Sequence, residues 1–436
     1  MPVNNIDDVA EATVRQRLKP ARVPRCEASL IPFIQLSAPL PMTEVPREAS
    51  PKWDWTVFPV LGGSSDFGVL GGAAASIARH AKERKPYQFQ AALILSTSFK
   101  DNGDGIELVQ HKHAIRFDWL GLFHNRLRLS PAFNFERTAN SGYFGLGNAS
   151  EATPIDSSGT FGRRYQFIHN EVRGRLNARI ALVGPWSLIA GTTHRYSRPT
   201  AYDGSQLATD SATTTPDGAK TIYGTEPLYQ PSLQFGVLYD RRDNEVTPSS
   251  GGYHELAVRT AIGFPLSSEV RSAGASIVLR QYFSLFGPVV LAIRALGDFA
   301  IGNVPFYDLA QGGSFIAEQM PGGAQGVRGV PNGRFAGLAK VVGNVELRAM
   351  VFEFRIARQK FRVGLAGFVD GGRVWLDYKK DPRDGTGVGL KYGVGAGVYF
   401  QWGVALFRFD VAYSPDARAA NPSLPVGLYV AEGQLF

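Results

Sequence analysis

Along most of this chain apolar and polar residues alternate one by one, the spacing of a strand whose two faces meet different surroundings. The clearest case runs from Leu338 to Val351. Ala339, Val341, Gly343, Val345, Leu347, Ala349 and Val351 share one face, and Lys340, Asn344, Glu346 and Arg348 share the other. The split recurs where Val172, Leu176, Ala178 and Ile180 oppose Glu171, Arg173, Arg175 and Arg179, and where Phe407, Phe409, Val411 and Tyr413 oppose Arg408 and Asp410. Charge returns again and again to the second face while the first stays apolar. A transmembrane barrel has this requirement, because its wall alternates between lipid and lumen while closure pairs the backbone inside the bilayer. Alternation alone does not say which face is outside.

The pattern predicts strands at 53–61, 67–79, 86–100, 104–119, 126–137, 164–181, 185–197, 229–241, 251–263, 270–284, 288–300, 338–351, 358–370, 388–400, 404–413 and 424–436. Connections at 80–85, 120–125, 182–184, 285–287 and 401–403 are short, and those at 138–163, 198–228, 301–337 and 371–387 are long. Short and long connections therefore gather at opposite ends, as in outer-membrane barrels with periplasmic turns and extracellular loops. The expected fold is all-β, a 16-stranded antiparallel transmembrane barrel over 53–436, preceded by a leader at 1–52. Ile6, Val9, Val14 and Leu18 suit one face of a short helix, and the prolines from Pro20 to Pro46 then forbid regular structure. That leader is either a plug or periplasmic arm, or a flexible segment.

Composition narrows the picture. No stretch approaches the roughly 20 apolar residues of a membrane helix. A single cysteine, Cys26, excludes an internal disulfide framework and a multi-cysteine metal site. The net charge of +8 would suit nucleic acid, but its Lys and Arg are spread singly along strands rather than gathered in a patch, so no nucleic-acid partner is expected. A basic lumen or lipopolysaccharide contacts account for it better. The start, MPVNNIDDVA, has neither the basic nor the apolar part of a signal peptide. Tyr429, Gly433 and Phe436 lie on an amphipathic last strand whose terminal aromatic resembles the recognition signal of outer-membrane barrels.

Catalytic constellations are not evident. His111 and His113 share a strand face without a third ligand nearby, Gly62 to Asp66 reads as a turn rather than a nucleophile elbow, and no phosphate-binding or dinucleotide motif occurs. No enzyme activity, cofactor or metal is expected.

Three segments, in order, resemble the barrel domain of the BamA/TamA bacterial surface antigen superfamily. They are Asp240-Arg-Arg-Asp-Asn244 with Pro248 and Gly251; Gly322-Gly-Ala-Gln-Gly-Val-Arg-Gly-Val330 followed by Asn344-Val-Glu-Leu-Arg348; and Gly367-Phe-Val-Asp-Gly-Gly-Arg-Val-Trp375. The first is similar to the family's hairpin between strands eight and nine, with Asp240, Arg242, Asp243, Asn244, Pro248 and Gly251 as its marked positions. The second is similar to the long sixth extracellular loop and its tip, Val327, Arg328, Gly329 and Val330. The resemblance implies that this loop folds into the lumen and that Arg328 pairs with Glu346 and Asp370 on the wall. Val330 stands where the family has an aromatic, which implies looser packing there. Glycines 389, 393, 395 and 397 in strand fourteen would leave room for the loop. The implied function is assembly, insertion or translocation of proteins at the outer membrane. The expected partners are lipid, lipopolysaccharide, client chains and a separate periplasmic protein, since 1–52 is too short for the family's POTRA domains. A passive pore or a surface-displayed anchor are the alternatives.

Overall fold

The computed structural model describes residues 52–436 except 82–83, 102–104, 154–161, 246, 265–268, 317, 357–358, 403–404, 420–423 and 433. The expected leader at 1–52 thus lies almost wholly outside the described residues, and so does Gly433. Sixteen long strands form the wall: β1 (Lys52–Ser64), β2 (Gly68–Ala81), β3 (Arg84–Asp101), β4 (Ile106–Gly121), β5 (Leu127–Gly142), β6 (Gln166–Ala181), β7 (Trp186–Ala201), β8 (Leu228–Asp240), β9 (Gly251–Ile262), β10 (Arg271–Ser284), β11 (Val289–Gly302), β12 (Ala339–Ile356), β13 (Gln359–Trp375), β14 (Lys391–Trp402), β15 (Ala405–Tyr413) and β16 (Val426–Glu432). Each pairs antiparallel with its neighbours in sequence, and β16 meets β1 to close the barrel.

The ambiguity of the alternation is resolved by burial. Leu93, Phe133, Phe235, Leu256, Val345, Leu365, Phe409 and Leu428 are exposed on the outside, whereas Asp118, Arg280, Arg294, Asp298, Glu346, Asp370 and Asp410 are buried on the inside. Apolar faces therefore look to lipid and charged faces to the lumen. Aromatic groups gather near the short-turn end, where Phe89 packs on Trp119 and Phe361 on Trp402 with ring centroids 4.9 and 6.0 Å apart, the position of an interfacial girdle. Among the described residues no helix is long and apolar enough to cross a membrane.

Residues 303–338, here called loop six, lie against the inner wall. Their apolar side chains, including Phe315, Met320, Val327, Val330 and Phe335, pack with the inward-facing Leu238, Val278, Leu296, Val342 and Val374. Val330 is fully buried, so the looser packing expected from losing the tip aromatic does not occur. Val330 interlocks with loop six itself, its carbonyl accepting from Gly323 N–H at 2.8 Å.

The last strand departs from expectation. β16 ends at Glu432 rather than reaching 436. Gln434, Leu435 and Phe436 are buried. The Phe436 ring lies 6.4 Å from that of Tyr282, the Arg294 guanidinium stands 5.2 Å from its centroid, and Arg348 Nη1 donates to its backbone oxygen at 3.5 Å. Apolar packing and a desolvated cation–π contact in the lumen replace the ladder that a straight strand would have made.

Candidate functional site: the loop-six arginine and the barrel seam

The tip of loop six is turned by hydrogen bonds within the loop, Val327 N–H donating to Pro321 O at 2.5 Å. Gly329 has φ +95°, a left-handed conformation that glycine adopts without a Cβ penalty. This turn delivers Arg328 to the inner wall. Its Nε and Nη2 donate to Asp370 Oδ2 and Oδ1 at 2.7 and 3.0 Å, a bidentate pair, and its own backbone N–H adds a third bond at 3.1 Å. Nη1 reaches Glu346 Oε2 and Asp410 Oδ2, both at 3.1 Å. The guanidinium carbon stands 3.3 Å from the centre of the Phe368 ring. The side chains of Arg328, Glu346, Asp370 and Asp410 are all fully buried.

The wall explains this convergence. Asn344 on β12 is registered with Asp370 on β13, which is registered with Gly393 on β14. A Cβ at Gly393 would fall on the Arg328 carbonyl oxygen, so the tip can approach only because that residue is glycine. Gly397 likewise clears Asp410, and Gly395 clears the Phe368 ring. Gly389 does something different, since it lies before β14 with φ +56° and its carbonyl accepts from Asn148 Nδ2 at 2.7 Å.

Around this centre Asn344 Nδ2 bonds Asp370 Oδ1 and Gly326 O at 2.8 and 2.9 Å, and the Tyr399 hydroxyl donates to Glu346. Arg408 pairs with Asp410 at 2.8 Å and Arg348 with Glu346 at 3.7 Å. Three arginines thus balance three carboxylates, and the charges hold each other in place. Loop six is fastened elsewhere by Arg294, which donates to Asn344 Oδ1 and Glu318 Oε2 at 3.0 Å and to Gln325 O, and by Asp298, which accepts from Gly313 N–H at 2.9 Å.

The Asp240 motif forms a braced turn. Asp240 receives Arg242 Nε and Nη2, both at 2.9 Å. Asp243 accepts from the N–H groups of Asn244, Ser249 and Ser250 at 2.9, 2.9 and 3.1 Å. Pro248 O accepts from Arg348 at 2.8 Å, and Gly251 carries φ +89° at the entrance to β9. Arg348 therefore links this turn to Glu346 and Phe436. His111 and His113 sit side by side with rings 5.9 Å apart, and among the described residues no group of three or more His, Cys, Asp or Glu could hold a metal.

Arg328, Glu346 and Asp370 are brought together, whereas Tyr429 and Phe436 part company. Tyr429 accepts the Gly329 N–H on its hydroxyl at 2.8 Å, which joins the loop tip to β16. The seam beyond it is thin. β1 is paired with β2 along its whole length from Lys52 to Ser64, but among the described residues it is registered with β16 only at Gly63↔Val430 and Ser64↔Tyr429, extended by Ser65 N–H to Leu428 O at 2.9 Å. Asp410, Asn344, Phe368 and Tyr399 were not singled out from sequence. Asp410 and Asn344 sit on charged faces that the alternation exposes, so parity could have offered them as partners for the arginine.

A closed barrel with lipid-facing apolar residues, a buried arginine–carboxylate cluster at the tip of a long loop and a thin first-to-last seam defines an outer-membrane-type β-barrel. The profile of the Omp85 superfamily domain matches residues 130–424, and the chain belongs to that superfamily. Its fold is similar to that of BamA from Haemophilus ducreyi lacking POTRA domains 1–3, at 14% identity over 90% of this chain and 74% of that one, with a TM-score of 0.53. It is also similar to CdiB from Escherichia coli, at 13% identity over 91% and 68% of the two chains, with a TM-score of 0.54. No curated protein sequence matches it.

Proposed function

We propose that this barrel receives client polypeptides at the thin seam between β1 and β16 and assists their insertion into, or passage across, the outer membrane. The observation that carries this is the seam, because among the described residues β1 is registered with β16 at Gly63 and Ser64 alone but with β2 along its whole length. Unpaired strand edges recruit extended segments through main-chain hydrogen bonds, and unpaired peptide groups at bilayer depth are costly. A client strand would satisfy them. This needs no covalent chemistry, and the Arg328 cluster serves to hold loop six while the seam works. The test is insertion of a urea-unfolded barrel protein into vesicles holding this protein, with empty vesicles as reference.

A second reading, a gated anion pore, is favoured by the arginines that line the inner chamber. It requires steady anion-selective current across planar bilayers, increased by shortening loop six.

A further inference from the structure

Away from the Arg328 cluster, the wall formed by β4, β5 and β6 carries a concentration of cations around a small residue. Arg116 is registered with Ala132, and Ala132 with Arg175, so two arginines share one row across three strands. Two strand spacings set their backbones about 10 Å apart with only a methyl group between. Arg173, two residues before Arg175 on the same face of β6, adds a third cation. Beside Ala132 lies a cavity of about 70 Å³ bounded by Arg116, Arg175, Gln90, Asp118, Ser130 and Asn177 and covered by Ile316 of loop six.

The acids of this wall are engaged by other groups. Asp118 accepts from Arg128 at 2.7 and 2.8 Å, from Tyr87 at 2.7 Å and from Ser130 at 2.8 Å. Glu171 is paired with Arg173 at 2.7 Å, and Glu136 lies 3.6 Å from Lys112. Arg175 gives Nη1 to the Phe315 carbonyl at 3.1 Å, and its buried Nε has no partner among the described residues. It has no carboxylate partner among them either. Like charges gathered in one row repel each other, and an anion between them removes that cost.

We propose that this cavity binds a phosphate-class oxyanion, held between Arg116 and Arg175. Planar guanidinium forks match the oxygens of a tetrahedral phosphate and give charge-assisted hydrogen bonds. The buried amide oxygens Gln90 Oε1 and Asn177 Oδ1, also without partners among the described residues, are acceptors. They favour an anion that still carries an O–H, which hydrogen phosphate has and sulfate lacks. A larger chamber of about 490 Å³ shares Arg116 and Arg175 with the cavity and reaches Val60 to Ser64 and Val430 at the seam. The phosphate can therefore be the free ion or the monoester headgroup of a lipid entering at the seam.

The folded barrel in phosphate-free detergent would be titrated calorimetrically with inorganic phosphate, with sulfate and with short-chain phosphatidic acid. Saturable phosphate binding is expected, with sulfate about tenfold weaker or worse, since a hydroxyl bond is lost and two acceptors are left unmet. Arg175→Gln should weaken phosphate by about tenfold or more, and Ala132→Leu, which fills the cavity and keeps every charge, should abolish it. Gel mobility of unheated protein reports whether each variant is folded, and Ala132→Leu decides the matter if Arg175→Gln does not fold. Phosphatidic acid that displaces inorganic phosphate and binds more tightly assigns the site to a lipid headgroup, whereas displacement by the free ion alone assigns it to the ion. Failure of both to bind, equal binding of sulfate, or undiminished phosphate binding in both variants would overturn the proposal.

Discussion

The Gly329 N–H donates to the Tyr429 hydroxyl at 2.8 Å, so the residue next to the locking arginine is tied to the strand that closes the barrel. Tyr429 is itself registered with Ser64 across the seam. Loop six and the seam are therefore joined by a hydrogen bond. Tyr429→Phe keeps the ring and removes the bond, and a net loss of about 1 kcal/mol is expected. Hydrogen exchange should quicken in 62–65 and 426–432 while β5 to β9 stay unchanged. Equal exchange in both regions would separate the loop from the seam.

Arg328→Ala leaves Glu346, Asp370 and Asp410 buried together without their shared cation. Removing one partner of a buried ion pair costs about 3–5 kcal/mol. The midpoint of heat modifiability on gels should fall clearly. Arg328→Lys should recover only part of it, because an ammonium cannot reproduce the bidentate contact with Asp370.

Gly393→Ala tests the same contact without touching a charge. The new methyl meets the Arg328 carbonyl, so the tip must shift, at about 1–3 kcal/mol. Protease access to 320–335 should rise in this variant. Gly367→Ala is the control, since a Cβ there meets nothing.

Much of this was legible beforehand, for physical reasons that also mark where legibility stops. One-by-one alternation follows from the two environments of a barrel wall, so all sixteen strands and the shared face of Glu346 and Asp370 could be read from it, while burial showed which face is the lumen. Pairing across the seam is set by register and stagger, which alternation does not encode. Residues 424–436 accordingly looked like one strand, although the chain leaves the ladder after Glu432. Asp410 was visible as a lumen charge, but only the fold shows that β15 brings it to the same arginine as Glu346 and Asp370. Gly389 looked like a strand residue because glycine fits an inner wall as well as a left-handed turn.

Asp66, in the turn between β1 and β2, gives the seam a pH dependence. Burial pushes its carboxyl up to about 6 from 3.8, against the lowering influence of the Lys100 ammonium and the Asn332 N–H. A folded state that holds its proton more tightly is stabilised below the ordinary value, and this contribution is lost as pH rises from 3.8 through about 6. Ser65, the neighbour of Asp66, carries the seam bond to Leu428 O, so protonation should tighten the seam. Exchange in 62–65 should slow on going from pH 7 to pH 5, after correction for intrinsic rates, and Asp66→Asn should remove that change.

If clients enter at the seam, a reversible cross-link across it should stop them. Ser65→Cys with Leu428→Cys places two thiols where Ser65 N–H meets Leu428 O, in a background where Cys26→Ser removes the single native thiol. The barrel would be reconstituted in vesicles, a urea-unfolded client added, and the client's heat-modifiable band followed over time. The reduced protein should accelerate insertion over empty vesicles, the oxidised protein should lose the gain, and a reductant should restore it. Equal acceleration with the seam cross-linked, or none from the folded reduced protein, would contradict it.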